Sequence, residues 1–371
     1  MPEISGETIN IIGAGPAGLT AAIVLRRHGY HVKIFDKSPD VGHRLNGDFQ
    51  GLENWSSERD VTEILKDIGI RINFLCTPCL VGTVYARGIE PVKVRSDRPI
   101  FYFVKRGPHD GTLDKGLKEQ ALSLGVEIIF NRRLDAADGK AIVATGPRMA
   151  VGITSGITFR TSKDDMVAVV FNDDIAPKGY AYLMINQGEG TMVTVLYREF
   201  RDIGEYFQKM VRFFTKNIDI DIRDEKRFGG YGDFFIPDTL KKDGRMCVGE
   251  SGGLQDYLWG FGMRYAFVSG YLAARSLIEE TDYDSLWKRD LRPMMETSLV
   301  NRYLFEKFGH EGYKYIARRV ADGNPCNFLR RQYNPSLLKQ LLLPVAMRNY
   351  KKKFRSSNDL HARVLHGEIG S

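Results

Sequence analysis

The chain has 371 residues, 43% of them hydrophobic and 27% charged, so it is long enough to bury a large core and too apolar for a disordered chain. No run of 18 apolar residues occurs, and MPEISGETIN lacks the basic, apolar and small-residue pattern of a leader, so a soluble, cytoplasmic protein is expected. The net charge of +7 is uneven, because residues 285–371 hold 17 Lys/Arg against 7 Asp/Glu and leave the remainder slightly acidic.

The predicted elements run as follows. Residues 8–36, TINIIGAGPAGLTAAIVLRRHGYHVKIFD, read as strand, glycine turn, helix and strand. SSERDVTEILKDIG (56–69) reads as a helix with a capping serine, early acids and a closing glycine. Residues 80–104 are extended, ending in PIFYFVKR. TLDKGLKEQALSLG (112–125) is a second capped helix, followed by the strand VEIIF, and AIVATG (141–146) is a further strand. Residues 157–200 alternate apolar and polar positions (DMVAVVF, YAYLMI, TMVTVLY), which predicts an antiparallel sheet beside the parallel one. EYFQKMVRFFTKN (205–217) is an amphipathic helix, RMCVGES (245–251) returns to a strand, and GMRYAFVSGYLAARSLIEE (262–280) is a long helix. Residues 284–355 are mostly helical and basic.

Gly13, Gly15 and Gly18 form GxGxxG directly between a strand and a helix. The first glycine makes the tight turn, the second lets backbone amides approach a pyrophosphate, and the third allows close helix–strand packing. The phosphates then meet a helix N-terminus, where unpaired N–H groups and the dipole favour anions. Asp36, with Lys37 after it, closes the second strand, where a carboxylate binds ribose hydroxyls. This is a dinucleotide site. No second GxGxxG follows a strand, so a nicotinamide would visit transiently, or electrons would arrive from another donor such as a ferredoxin-like protein.

GAGPAGL, with Pro16 and Ala17 after the second glycine, resembles the FAD version of this turn. The strand bearing Ala144, Thr145 and Gly146 resembles the returning ATG strand of the glutathione-reductase-like FAD fold. RMCVGESGGLQDYLWGFGMRYAFVSGYLAARSL resembles that fold's C-terminal FAD element. The resemblance puts Glu250 at the ribityl chain, where aspartate is usual. It puts Gly260, Gly262 and Met263 at the flavin edge, where a helix dipole stabilises negative charge on the reduced ring. FAD is therefore the expected cofactor.

The order of parts over residues 8–280 resembles the p-hydroxybenzoate-hydroxylase-type flavoproteins and, among them, the geranylgeranyl reductase family. That resemblance implies Arg106 at the FAD pyrophosphate, Arg44 as a second cation and Leu134 at the adenine. Two features separate the chain from other branches: the hydroxylases' Ala-Asp-Gly signature is missing, and Trp55, Trp259 and Trp287 stand apart rather than paired as in the halogenases. The reductases' cysteine-bearing loop is replaced by VGHRLNGDFQGLENW. The family implies hydride addition from flavin N5 to an isoprenoid or lipid-linked double bond lying in an apolar tunnel. Tyr257 and Trp259 either face flavin or substrate or serve as core aromatics.

The expected fold is α/β: a Rossmann-like FAD-binding domain (1–80 with 105–150 and 240–282), an interleaved antiparallel-sheet substrate domain (81–104 with 151–239) and a basic helical C-terminal region (283–371). Rival readings are an FAD monooxygenase of a small organic substrate and a non-catalytic binding or escort protein. PSLLKQLLLPVAMRNYKKKFR either docks at a membrane surface or packs its leucines on the body; an acidic protein or nucleic acid would also suit its charge, but no nucleic-acid partner is expected. Cys76 and Cys79 (CTPC) have redox spacing without the helix that such a pair opens, so structural, redox and half-metal-site roles stay open. The seven histidines lack ligand spacing, and no metal is expected.

Overall fold

Strand Thr8–Ile12 is flanked on both sides by parallel strands, which is why its residues read as an unbroken apolar run. The computed structural model describes residues 8–134, 140–147 and 149–365, the last thirteen as backbone only. Thr8–Ile12 sits inside a six-stranded sheet ordered Lys241–Lys242, Arg245–Cys247, Ala141–Val143, Thr8–Ile12, His31–Phe35, Glu127–Ile129. All neighbours in it are parallel except the edge pair Lys241–Lys242 and Arg245–Cys247. Helices Pro16–Arg27 and Met263–Ile278 pack side by side, so closely that a Cβ on Gly270 would lie 2.3 Å from the Ala17 carbonyl oxygen.

A seven-stranded sheet is ordered Arg223–Gly232, Gly152–Arg160, Glu189–Leu196, Tyr180–Asn186, Met166–Phe171, Val81–Ala86, Val92–Arg95. It is antiparallel save for the parallel pair Met166–Phe171 and Val81–Ala86. The two-residue period of its strands divides the side chains between two layers. Ala168, Val170, Ala181, Leu183 and Ile185 pack under helix Ile203–Asn217, against Phe207, Met210 and Phe214. Val167, Val169, Phe171, Tyr180, Tyr182 and Met184 point the other way, into a cavity. A third sheet, Phe49–Glu53, Phe101–Lys105 and Cys76–Cys79, is antiparallel and closes one end of that cavity.

Four helices follow: Tyr283–Asp290, Arg292–Ala321, Pro325–Tyr333 and Leu337–Leu365. The second is broken at Gly309, whose backbone (φ 51°, ψ −132°) is left-handed and so suits glycine.

One expectation is corrected, and two features are added. The helix in 56–69 is Val61–Asp67, capped by Asp60, whose Oδ1 accepts the Thr62 N–H at 2.9 Å, while Ser56 is engaged by Glu53 instead. Residues 80–104 are largely extended, as expected, and their strands are divided between two sheets. Strand Arg223–Gly232 had no counterpart in the reading of the sequence. It is an edge strand exposed along nearly its whole length, so no apolar alternation marks it, and its charges are of the kind that protect sheet edges.

Candidate functional site

The glycine turn is built by close backbone contact. Gly13 has φ 109°, and a Cβ there would lie 2.2 Å from the Ala144 carbonyl oxygen; one on Gly18 would lie 2.1 Å from the Gly13 oxygen. Gly15 differs, because a Cβ on it would meet nothing within 4 Å: it borders open space. It is the N-cap of helix Pro16–Arg27, which has neither a capping side chain nor an acid in its first turn. The first amides of that helix are therefore available to an anion.

Helix Met263–Ile278 begins the same way, with Gly262 as N-cap, no capping side chain and no acid in its first turn. Both N-termini open on one cavity of about 440 Å³. Two positive helix ends facing one cleft favour a ligand with negative charge at both places.

Of the residues singled out in the sequence, Gly15, Pro16, Ala17, Arg44, Arg106, Ala144, Gly146, Glu250, Trp259, Gly260, Gly262 and Met263 line this cavity. Gly13 and Gly18 support the turn from behind. Asp36 is at the end of its strand, with Oδ2 accepting the Ala14 N–H at 2.7 Å and Oδ1 the Ser38 N–H at 2.8 Å, so its carboxylate is held in a fixed orientation. Lys37 and Thr145 are exposed, Leu134 is half-buried, and all three lie off the cavity wall.

Of the two roles left open for Tyr257, its position fits the core aromatic. It is fully buried, outside the cavity, edge-on to Phe234 and Tyr350. Trp259, two residues on, lines the cavity against Phe171, Phe305 and the Tyr180 ring.

The two arginines lining the cavity, Arg106 and Arg44, are each paired. Arg106 is gripped by Asp114, Nε to Oδ2 at 2.8 Å and Nη2 to Oδ1 at 2.9 Å, and also donates to Gln50. It shapes the wall as a neutralised pair rather than standing as a free cation. Arg44 lies 3.5 Å from Glu250 and is exposed, hence movable. Burial pushes the Glu250 carboxyl up, opposed by the charges of Arg44 and Arg106. Behind the Gly260–Gly262 turn, Glu53 and Arg264 form a buried pair at 3.3 Å. Asp256 accepts the Trp259 N–H at 2.6 Å and the Tyr333 hydroxyl at 2.9 Å.

Several contributors were not legible in the sequence. Trp55 lines the cavity edge-on to Phe261, ring centroids 4.9 Å apart, and its buried indole N–H has no hydrogen-bond partner among the described residues. Arg302 donates to the Leu258 carbonyl at 3.2 Å and to that of Lys178, and stacks 3.6 Å over Tyr197, tying helix Arg292–Ala321 to the wall. Neither residue has a motif; only convergence in space marks them.

Beyond the turn the cavity is apolar. It passes beneath the seven-stranded sheet, past Tyr180, Tyr182 and Tyr197, to Ile316, Val320, Pro325 and Leu329 of the C-terminal helices. Burial pushes the pKa of all three tyrosine hydroxyls upward, so they stay neutral. Cys79 also lines it, and burial pushes Cys76 and Cys79 both up to about 12, which disfavours the thiolates that a redox pair needs. No group of three metal-binding side chains occurs among the described residues.

The turn, the parallel sheet and the paired helix ends define a dinucleotide-binding α/β protein. Residues 11–48 match the family model of the NAD(P)-binding Rossmann-like domain. The chain is similar to the NAD-dependent dihydropyrimidine dehydrogenase subunit PreT homolog of Salmonella typhi, 32% identical over 40% of this chain and 33% of that protein. It spans a tenth to a third of the length of the first curated relatives it matches. A likeness of greater extent is to the digeranylgeranylglycerophospholipid reductase of Thermoplasma acidophilum, 21% identical over 79% of this chain and 84% of that one. Among solved structures, a geranylgeranyl bacteriochlorophyll reductase-like protein of Thermoplasma acidophilum superposes with TM-score 0.68 at 17% identity, covering 94% of this chain and 99% of that one. A flavin-dependent brominase gives 0.60 at 15% identity, covering 94% and 100%. The chain carries the fold of the FAD-dependent oxidoreductases, and the expected resemblance to geranylgeranyl reductases is borne out.

Proposed function

We propose that the chain is an FAD-dependent oxidoreductase that reduces an apolar substrate, isoprenoid or lipid-linked, beneath the seven-stranded sheet. The observation that carries this reading is one cavity joining two uncapped helix N-termini to an apolar chamber. A dinucleotide fits the first part: the open space at Gly15 and the free amides of Pro16–Arg27 suit its pyrophosphate. Asp36 would hold the adenosine ribose, Glu250 the ribityl hydroxyls, and Gly260, Gly262 and Met263 the flavin edge. Arg44, freed from Glu250, would meet a phosphate.

When bound, FAD would supply a hydride at N5 to one carbon of the double bond, and a proton would go to the other. The N-terminus of Met263–Ile278 would favour negative charge on a ring held at Gly260–Met263. Trp259, Phe171, Tyr182 and Met184 exclude water and hold an apolar chain. In this reading residues 1–80, 105–150 and 240–282 serve the cofactor, while 81–104 and 151–239 serve the substrate. Electrons come from a transient nicotinamide or a ferredoxin-like protein.

The fold is shared with oxygenases and halogenases and does not choose among them; the apolar lining of the chamber favours a reductase. The test is an absorption spectrum of the purified protein, then anaerobic reduction and admission of air. Bound FAD with slow reoxidation, and turnover of a polyprenyl substrate, are expected. Rapid reoxidation coupled to hydroxylation would make it a monooxygenase. Protein that takes up no FAD would leave a binding or escort role.

A further inference from the structure

We propose that the exposed face of the C-terminal helix Leu337–Leu365 docks on an anionic lipid surface. The helix has two faces. Leu342, Leu343, Met347 and Tyr350 pack against the main core, and Ala346 is fully buried. The opposite face carries Leu337, Leu338, Leu341 and Val345, exposed by 78%, 64%, 72% and 47%. A helix that had spent its leucines on the body would not hold these four in water. Exposing one large apolar residue is ordinary, whereas a stripe along two turns marks an interaction surface.

The same face continues as Arg348, Lys351 and Lys352, all exposed and without an ion-pair partner among the described residues. At 100° per residue, Arg348 lies about 20° from Leu337 around the helix, and at 1.5 Å per residue about 16 Å farther along it. Apolar and cationic halves thus share one surface. Lys339, on the buried side, is engaged differently: it donates to the carbonyls of Gln332 and Asn334 at the end of the preceding helix. Between residues 323 and 358 the sequence holds eight Lys/Arg and no Asp or Glu, so nothing within this segment neutralises the cations.

Charge complementarity selects the occupant. A leucine stripe followed by unpaired cations matches the acyl boundary and anionic headgroups of a bilayer. No helix among the described residues is long and apolar enough to cross a membrane, so the docking is interfacial. Leu329 lines the far end of the cavity and stands eight residues before Leu337, four of them helical. That keeps the docking face within about 20 Å of the chamber. The inference rests on this surface alone and stands or falls apart from the redox reading.

The test is flotation of the full chain, as purified, with phosphatidylcholine vesicles with and without phosphatidylglycerol. Binding to the anionic vesicles only, weakened by salt, is expected. Leu337→Gln with Leu341→Gln should weaken it at least about tenfold, and Arg348→Gln with Lys351→Gln and Lys352→Gln roughly 100-fold. Unchanged circular dichroism would show that both variants fold. No flotation, or flotation indifferent to both variants, overturns the proposal. So does a concentration-dependent dimer that the leucine variant abolishes, because the occupant would then be a second copy of the chain.

Discussion

Gly15→Asp separates the fold of the glycine turn from its use. Gly15 has φ −80° and ψ 177°, extended backbone open to any residue, and a Cβ there meets nothing within 4 Å. It caps a helix that lacks a side-chain cap, so aspartate should raise the stability of the unliganded protein by a few tenths of a kcal/mol. The same carboxylate stands where a pyrophosphate would bind. One charge against one phosphate at ~4 Å, with an effective dielectric constant near 20, costs ~4 kcal/mol. That is about a thousandfold in affinity. Thermal melts of the flavin-free forms and FAD titration by fluorescence quenching read the two effects; flavin-free forms are compared because a bound ligand itself raises stability. A variant that binds FAD as tightly as the parent refutes the placement of the phosphates. A lower melting temperature without flavin refutes the local geometry.

Two further outcomes follow from the site. Burial pushes Asp256 up to about 6 from an ordinary 3.8, so its contribution to stability is full below 3.8 and lost as pH rises through 6, by up to about 3 kcal/mol. Asp256→Asn removes that titration: the parent-minus-variant stability difference should fall between pH 4 and 6, and a flat difference curve would sink the argument. Val169 lines the chamber on the face opposite the helix-covered core, so Val169→Trp should raise KM for a long apolar substrate at least about tenfold while flavin content stays unchanged; an unaltered KM would put the substrate elsewhere.

Much of the candidate site was legible because its signals are local. Gly13, Gly15, Gly18 and Asp36 lie within one strand–turn–helix–strand unit, where backbone clearance requires glycine at 13 and 18 and Asp36 holds the turn's own amide. Alternation over 157–200 revealed the sheet because one face packs under a helix and the other lines a chamber. Strand Arg223–Gly232 stayed hidden because a strand exposed along nearly its whole length has no alternation to display. The cap of Val61–Asp67 was misplaced because Ser56 and Asp60 are both good capping residues, and Glu53 decides between them through space.

The sequence by itself determined the dinucleotide turn, the antiparallel sheet within 157–200 and the basic C-terminal segment, since each rests on neighbours within a few turns or strands. Tertiary structure alone decided which side chains meet in the cavity. Tyr257 and Trp259 are two residues apart and chemically alike, yet one is closed in by Phe234 and Tyr350 and the other lines the chamber. Trp55, Arg302 and the Arg44–Glu250 pair come from distant segments. The exposed leucines of Leu337–Leu365 belong with them: only packing shows which leucines of an apolar run the core has taken and which it has left facing water.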